Sequence, residues 1–270
     1  MNDCFYLMES EEETLRLELK TDPEHVEQQA RWAGVKQGMR VVDIGCGTGK
    51  TTYYIHKLTS PNGKTVGIDI LEDRVRYALE HYKKDDNIDF FQRDIRKPLT
   101  DLGSFDFVWI RFVLEYFRLG GLDIVKNVCS ILKPGGIICL IDLDHNCLCH
   151  FEMPERLEKS MFGLASALRK NANFDPYMGR KLYSYLYDLG FQEIEVNVEA
   201  HNLIYGELNK IDAFNWKKKL EVAASRSGYG FNEYKAGFVE FFDEFMQFFS
   251  SPKRFTYTPV IMCKGRKPHK

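Results

Sequence analysis

The chain has 270 residues, enough for one large domain or two small ones. Apolar residues make up 44% of it, 28% are charged, and 37 Lys+Arg against 39 Asp+Glu leave a net charge of -2. That balance excludes a disordered or low-complexity chain and argues against a nucleic-acid partner held by bulk positive charge. No run reaches the roughly 18 apolar residues that a membrane-spanning helix needs, so no membrane partner is expected. Residues 1–13 (MNDCFYLMESEEE) are acidic and lack a signal peptide's basic-then-apolar order, which points to a cytoplasmic chain. Seven scattered cysteines, an odd number, suit reduced buried thiols better than a disulfide framework.

Strand and helix signals alternate through the first two-thirds. Residues 40–44 (RVVDI) predict a strand running into glycines, and 50–58 predict a helix that ends at Ser60-Pro61-Asn62-Gly63. Strands follow at 65–69, 88–92, 105–110 and 137–143, with helices at 71–84 and 122–132 between them. These strands are short and almost continuously apolar, as in sheets buried on both faces. Alternation with helices implies crossover connections and a parallel sheet, so residues 35–145 read as an open α/β sandwich. The last third differs. Helices are expected at 154–170, 179–189, 210–224 and 231–249, and strands at 191–200 and 255–263.

The most informative stretch is Val41-Val42-Asp43-Ile44-Gly45-Cys46-Gly47-Thr48-Gly49. A strand enters a glycine turn that opens a helix, at the strand end where open α/β sheets bind ligands. A dinucleotide fingerprint needs G-x-G-x-x-G, but Lys50 occupies the third glycine position. Asp43, just before the turn, disfavours a pyrophosphate and suits a cationic ligand. S-adenosyl-L-methionine (SAM) carries an ammonium and a sulfonium and no phosphate. Asp69 ends the second strand, where a carboxylate can accept from both ribose hydroxyls. Asp94 follows the third strand and can accept from an adenine amino group, with Ile95 over the ring.

With VVDIGCGTG, TVGIDI, FQRDI, FDFVWIRFVLEYF and LKPGGIICLID, the chain resembles the class I SAM-dependent methyltransferases over about residues 35–145. The resemblance implies a Rossmann-like, seven-stranded, mostly parallel sheet sandwiched by helices, its last strand antiparallel. It places Asp43, Gly45 and Gly47 at the methionine end of SAM, Asp69 at the ribose, and Asp94 and Ile95 at the adenine. Cys46, Gly49, Ile70 and Phe112 adjoin these positions and join the cofactor set. Arg111, at the end of the fourth strand, suits a carboxylate of SAM or of the acceptor. One domain is expected: N-terminal cap helices over 1–34, the cofactor core over 35–145, and helical substrate or lid insertions over 146–190 and 206–252.

Methyl transfer from a sulfonium needs alignment and desolvation, and a base only where the acceptor carries a proton. Glu115, Asp142, Asp144 and His145 are the candidate catalytic groups. Tyr6, Arg16, Tyr116, Phe238 and Phe242 are the candidate substrate residues, the two phenylalanines on an aromatic helix read as a lid. No [N/D]-P-P-[Y/F] motif follows the fourth strand and no Pro-Cys dipeptide occurs, which argues against amide, adenine and cytosine-C5 methylation. Cys147-Leu148-Cys149-His150 lacks a second half for zinc, and no metal is expected. The expected acceptor is a small hydrophobic or aromatic metabolite, bound by a monomer or homodimer. The alternatives are methylation of RNA or protein, and a catalytically silent SAM-binding domain.

Overall fold

The computed structural model describes Leu7 and residues 12–269. Strands β1 (Arg40–Ile44), β2 (Lys64–Asp69), β3 (Ile88–Gln92), β4 (Phe105–Arg111) and β5 (Leu132–Leu143) lie in the order 3-2-1-4-5, all parallel. Strand β8 (Phe255–Arg266) runs antiparallel to β5 from Val260 to Arg266. β7 (Gln192–Tyr205) pairs antiparallel along the length of β8. A two-residue β6 (Cys149–His150) pairs with Tyr257 and Thr256, making the sheet eight-stranded where seven strands are expected.

The apolar character of β1, β4 and β5 follows from cover on both faces. Val42, Ile44, Val108, Ile110, Ile138 and Leu140 pack beneath α5 (Gly121–Val128) and α7 (Leu182–Asp188). Their neighbours in sequence, Val41, Phe107, Trp109, Cys139 and Ile141, point the opposite way. There they meet α2 (Pro23–Ala33) and α3 (Lys50–Thr59) through Val26, Ala30, Ala33 and Ile55. Helix α4 (Glu72–Tyr82) closes the β2–β3 side through Val75 and Ala78.

Helix α2 corrects the expectation that residues 1–34 are all cap. Asp22 caps it by accepting from the Glu24 amide at 2.9 Å, Pro23 opens it, and its apolar stripe lies in the sandwich core. Among the described residues of this segment, α1 (Glu13–Lys20), with Leu7 and Thr21, lies at the cleft over the carboxyl ends of the strands.

Helices α6 (Glu155–Asn171), α8 (Lys210–Ser227) and α9 (Phe238–Phe249) form a separate bundle around Leu157, Trp216, Phe241, Phe245 and Phe249. Helix α9 starts at Phe238, not near 231. Phe231–Tyr234 forms a turn, and Gly237 sits at φ 62°, which breaks the helical path.

Candidate active site

The site begins where β1 ends. Gly45, Gly47 and Gly49 adopt φ of 71°, 55° and 89°, a region that glycine enters without strain. Two of them also have no room for a side chain. A Cβ on Gly45 would stand 2.5 Å from Val113 Cγ2, and one on Gly49 2.7 Å from Ala78 Cβ. The Gly45 and Cys46 amides donate to the Ile68 carbonyl at 2.8 and 2.9 Å, pinning the turn to β2. The Gly47 amide donates to Asp69 Oδ2 at 2.9 Å, and the Leu71 amide to Asp69 Oδ1 at 3.0 Å. Asp69 is thus fixed by two backbone donors while each oxygen keeps acceptor capacity toward the cleft.

The cleft is lined by Gly45, Cys46, Gly47, Asp69, Ile70, Asp94, Ile95, Arg111 and Phe112. The structure brings together all of the expected cofactor set except Asp43 and Gly49. Asp43 shares a strand face with Val41, so it points to the α3 layer behind the turn and is 2% exposed. There it accepts a hydrogen bond from the Thr52 hydroxyl at 2.6 Å, and burial pushes its carboxyl up to about 7. Gly49 serves the packing of α3 on α4 and β3 and does not line the cleft. Asp94 is held by Arg96 through two contacts of 2.8 Å, which lower its pKa below the usual carboxylate value. The guanidinium of Arg111 lies 4.1 Å from the Phe112 ring centre, and its Nε donates to Gln29 Oε1 at 3.1 Å.

Helix α1 covers the glycine turn. Leu17 lies over Gly47, Lys50 Nζ donates to the Glu18 carbonyl at 2.6 Å, and the Tyr82 hydroxyl donates to Glu18 Oε2 at 2.6 Å. Arg16 forms a buried bidentate pair with Glu13 at 2.6 and 2.7 Å and reaches Asn215 of α8 at 3.0 Å.

A second cavity lies against the first. Leu7, Arg16, Lys20, Glu115 and Tyr116 line both. Beyond them its wall is mostly apolar, with Leu143, Met161, Leu164, Phe174, Trp216 and Leu220. Glu115 is 3% exposed, and its Oε2 accepts from Asn146 Nδ2 at 2.7 Å. Burial raises its pKa, and the nearby charges of Lys219 and Lys20 oppose that rise.

Five other expected site residues lie elsewhere, and Tyr6 lies outside the described residues. Asp142 is fully buried and lines neither cavity. It accepts from the amides of Glu115 at 3.0 Å and Leu143 at 2.9 Å, so it holds the turn that carries Glu115. Asp144 and His145 are turned away to Arg180, which donates to both Asp144 oxygens at 2.8 Å. The left-handed backbone at His145 and Cys147 (φ 47° and 64°) redirects the chain after β5. Phe238 and Phe242 pack on the bundle core and line neither cavity, so the aromatic helix is packing and not a lid.

The structure adds residues that the sequence reading missed. Lys219 sits in a Lys217-Lys218-Lys219 run that reads as solvated. Lys217 and Lys218 do pair outward with Glu221 and Glu12. Lys219 falls on the stripe of Trp216, Leu220 and Ala223 and turns inward; the phase of that stripe was the available signal. Lys20 and His201 also line the cleft. The His201 ring packs on Phe112 at 5.1 Å, its Nε2 has no partner among the described residues, and burial depresses its pKa well below the ordinary value.

These features fit SAM. Asp69 is oriented by two amides with acceptor capacity to spare, the turn admits close approach, and Arg111 offers a cation for a carboxylate. A Rossmann-like sheet with such a cleft at the carboxyl ends of β1, β2 and β3 defines the class of SAM-dependent methyltransferases. The chain belongs to the methyltransferase-domain family, whose model matches residues 35–190, more than half of its length. A demethylmenaquinone methyltransferase of Lactococcus lactis is 32% identical over 110 residues, which is 40% of this chain and 43% of that protein. The match therefore spans less than half of that relative. Two solved structures share the fold at 18% identity. One is phosphoethanolamine N-methyltransferase 2 of Haemonchus contortus with SAM bound (TM-score 0.54; 91% of this chain, 52% of that one). The other is the [4+2]-cyclase SpnF (TM-score 0.56; 92% and 82%).

Proposed function

We propose that this chain transfers the methyl group of SAM to a small apolar or aromatic metabolite seated in the second cavity. One observation carries the reading: an apolar chamber adjoins the cofactor cleft, and the two share Arg16, Lys20, Glu115 and Tyr116 in their walls. A chamber with mostly apolar walls suits a whole small molecule better than one residue of RNA or protein. The Lactococcus relative is a demethylmenaquinone methyltransferase, and a small-molecule acceptor there supports the same reading.

When bound, SAM supplies an electrophilic methyl on a sulfonium. The chain's own residues provide position and dryness. Asp69 would accept from the ribose hydroxyls, Ile95 and Asp94 would flank the adenine, and Arg111 would meet the methionine carboxylate. Helix α1 closes over the glycine turn and excludes water, which strengthens every charge interaction beneath it. Glu115 stands at the junction on a turn fixed by Asp142, with Asn146 orienting one oxygen. Burial raises its pKa, which makes it a stronger proton acceptor than an ordinary carboxylate where the acceptor carries a proton.

The test is methyl-labelled SAM incubated with separate pools of small apolar metabolites, RNA and protein. Label in the small-molecule pool, lost in Asp69→Ala, is the expected result. Label only in RNA or protein overturns the reading. SAM binding with no label in any pool assigns a silent domain instead.

A further inference from the structure

We propose that the junction of the two cavities is a binding site for an anionic oxygen, so that the acceptor is an apolar molecule bearing an ionised acidic head at the methyl-transfer end. The inference rests on the reading of the second cavity as the acceptor chamber.

Three cations line that chamber: Arg16, Lys20 and Lys219. Arg16 is matched by Glu13. The two lysines are not. Lys219 is 9% exposed, and among the described residues its ammonium meets the Cys147 Sγ at 3.5 Å and the Trp216 ring at 5.5 Å. Lys20 is half-buried and lies 5.3 Å from the Phe112 ring centre. Among the described residues neither lysine has a carboxylate within ion-pair distance. Both feel Glu115 electrostatically without contacting it. Among the described residues the junction thus holds two ammonium groups and one carboxylate in a site with apolar walls.

Two like charges held close in a poorly solvated site repel each other and lose hydration, and each effect is costly without a counter-charge. Burial, then Lys219 and Arg16, hold the Lys20 pKa well below its ordinary value. A surface lysine run could have spread into water; here the phase of α8 turns Lys219 inward instead. An anionic oxygen between the two ammonium groups relieves the repulsion and supplies both with a charge-assisted hydrogen bond. A cationic head would add a third positive charge. A neutral head would leave the repulsion in place. The apolar wall beyond accepts the rest of the molecule. A carboxylate and a phenolate or enolate share this chemistry, and both have the oxygen that the site selects.

The test uses the full chain saturated with S-adenosylhomocysteine, which fills the cofactor cleft and prevents turnover. Four probes of one shape are titrated by calorimetry: 2-naphthoate, 6-nitro-2-naphthol, methyl 2-naphthoate and 2-naphthylmethylammonium. The expected result is that one or both acidic probes bind at least tenfold tighter than the ester and the ammonium. The comparison between the first two separates carboxylate from phenolate. Binding of the nitronaphthol should also shift its visible absorption toward the ionised form. Lys219→Met, which lies outside the cofactor cleft, should remove most of the preference while S-adenosylhomocysteine still binds. Folding of the variant is checked by melting. Equal binding of ester and acids, or preference for the ammonium, overturns the inference. Label transfer to a neutral or basic metabolite, with no preference for acids, would sink this inference and leave methyl transfer standing. Tight binding of acids with no label transfer to any pool would do the reverse.

Discussion

Asp43 and Asp69 end adjacent strands and meet opposite surroundings. Asp69 receives two backbone amides and faces the cleft, whereas Asp43 has one hydroxyl partner in a closed layer. Burial therefore dominates at Asp43 and lifts its pKa from 3.8 to about 7; the Thr52 hydrogen bond and the Arg111 charge only partly oppose this. The native state keeps that proton to higher pH than the unfolded chain does. Between about pH 4 and 7 the native form binds more protons, so stability falls as pH rises through this window and levels off above it. Asp43→Asn keeps an acceptor for Thr52 and carries no charge. Its melting temperature, measured without cofactor, should gain on the parent steadily from pH 5 to pH 8. Parallel melting curves for the two proteins across that range would show that Asp43 titrates normally.

At the scale of elements, α9 teaches what periodicity can and cannot decide. Its phenylalanines at spacings of three and four were readable as one apolar face, but a face alone does not say whether it covers ligand or core. In the structure Phe241, Phe245 and Phe249 are fully buried against Trp216, and Phe238 and Phe242 flank the same cluster. Phe238→Ala with Phe242→Ala should lower the melting temperature by several degrees and leave the acceptor KM within about twofold, since loss of packed aromatic volume costs up to about 3–5 kcal/mol per ring. Unchanged melting with a large rise in KM would return α9 to the substrate site. The cofactor cleft was more legible than this bundle because its signal is local. A glycine turn and strand-end carboxylates sit within about 55 residues of one another, and parallel-sheet topology brings them to one edge. Asp43 was misplaced for a simple reason: strand alternation turns it from its neighbours. The acceptor chamber was poorly legible because α1, the turn at Glu115 and α8 meet there from three distant parts of the chain. Asp144 and His145 looked catalytic from their residue types, yet two positive-φ residues turn them to Arg180.

Across the whole molecule, α1 joins the two cavities and so should couple them. It has eight residues, well short of the roughly 12–15 that an isolated helix needs, so its order depends on what it docks against. On the cofactor side it is tied to Lys50 and Tyr82, and on the bundle side Arg16 meets Asn215 and Glu12 meets Lys218. Arg16 and Lys20 face both chambers. A ligand in the cofactor cleft adds contact beneath Leu17, holds α1 in place and thereby completes the wall that an acceptor meets. The two ligands then share the cost of ordering one helix, and linkage requires each to raise the other's affinity by the same factor. S-adenosylhomocysteine should slow amide exchange across residues 13–20 and tighten an acceptor-site probe by about fivefold or more, the lower end of typical coupling between sites. Tyr82→Phe removes the hydroxyl that holds Glu18 without touching either chamber, so it should shrink that factor while both ligands still bind. Titration of probe with and without S-adenosylhomocysteine, in parent and variant, reads the coupling directly. Identical probe affinity in the two parent titrations would mean that α1 is already fully ordered by the protein's own contacts, and the two chambers would then be energetically independent.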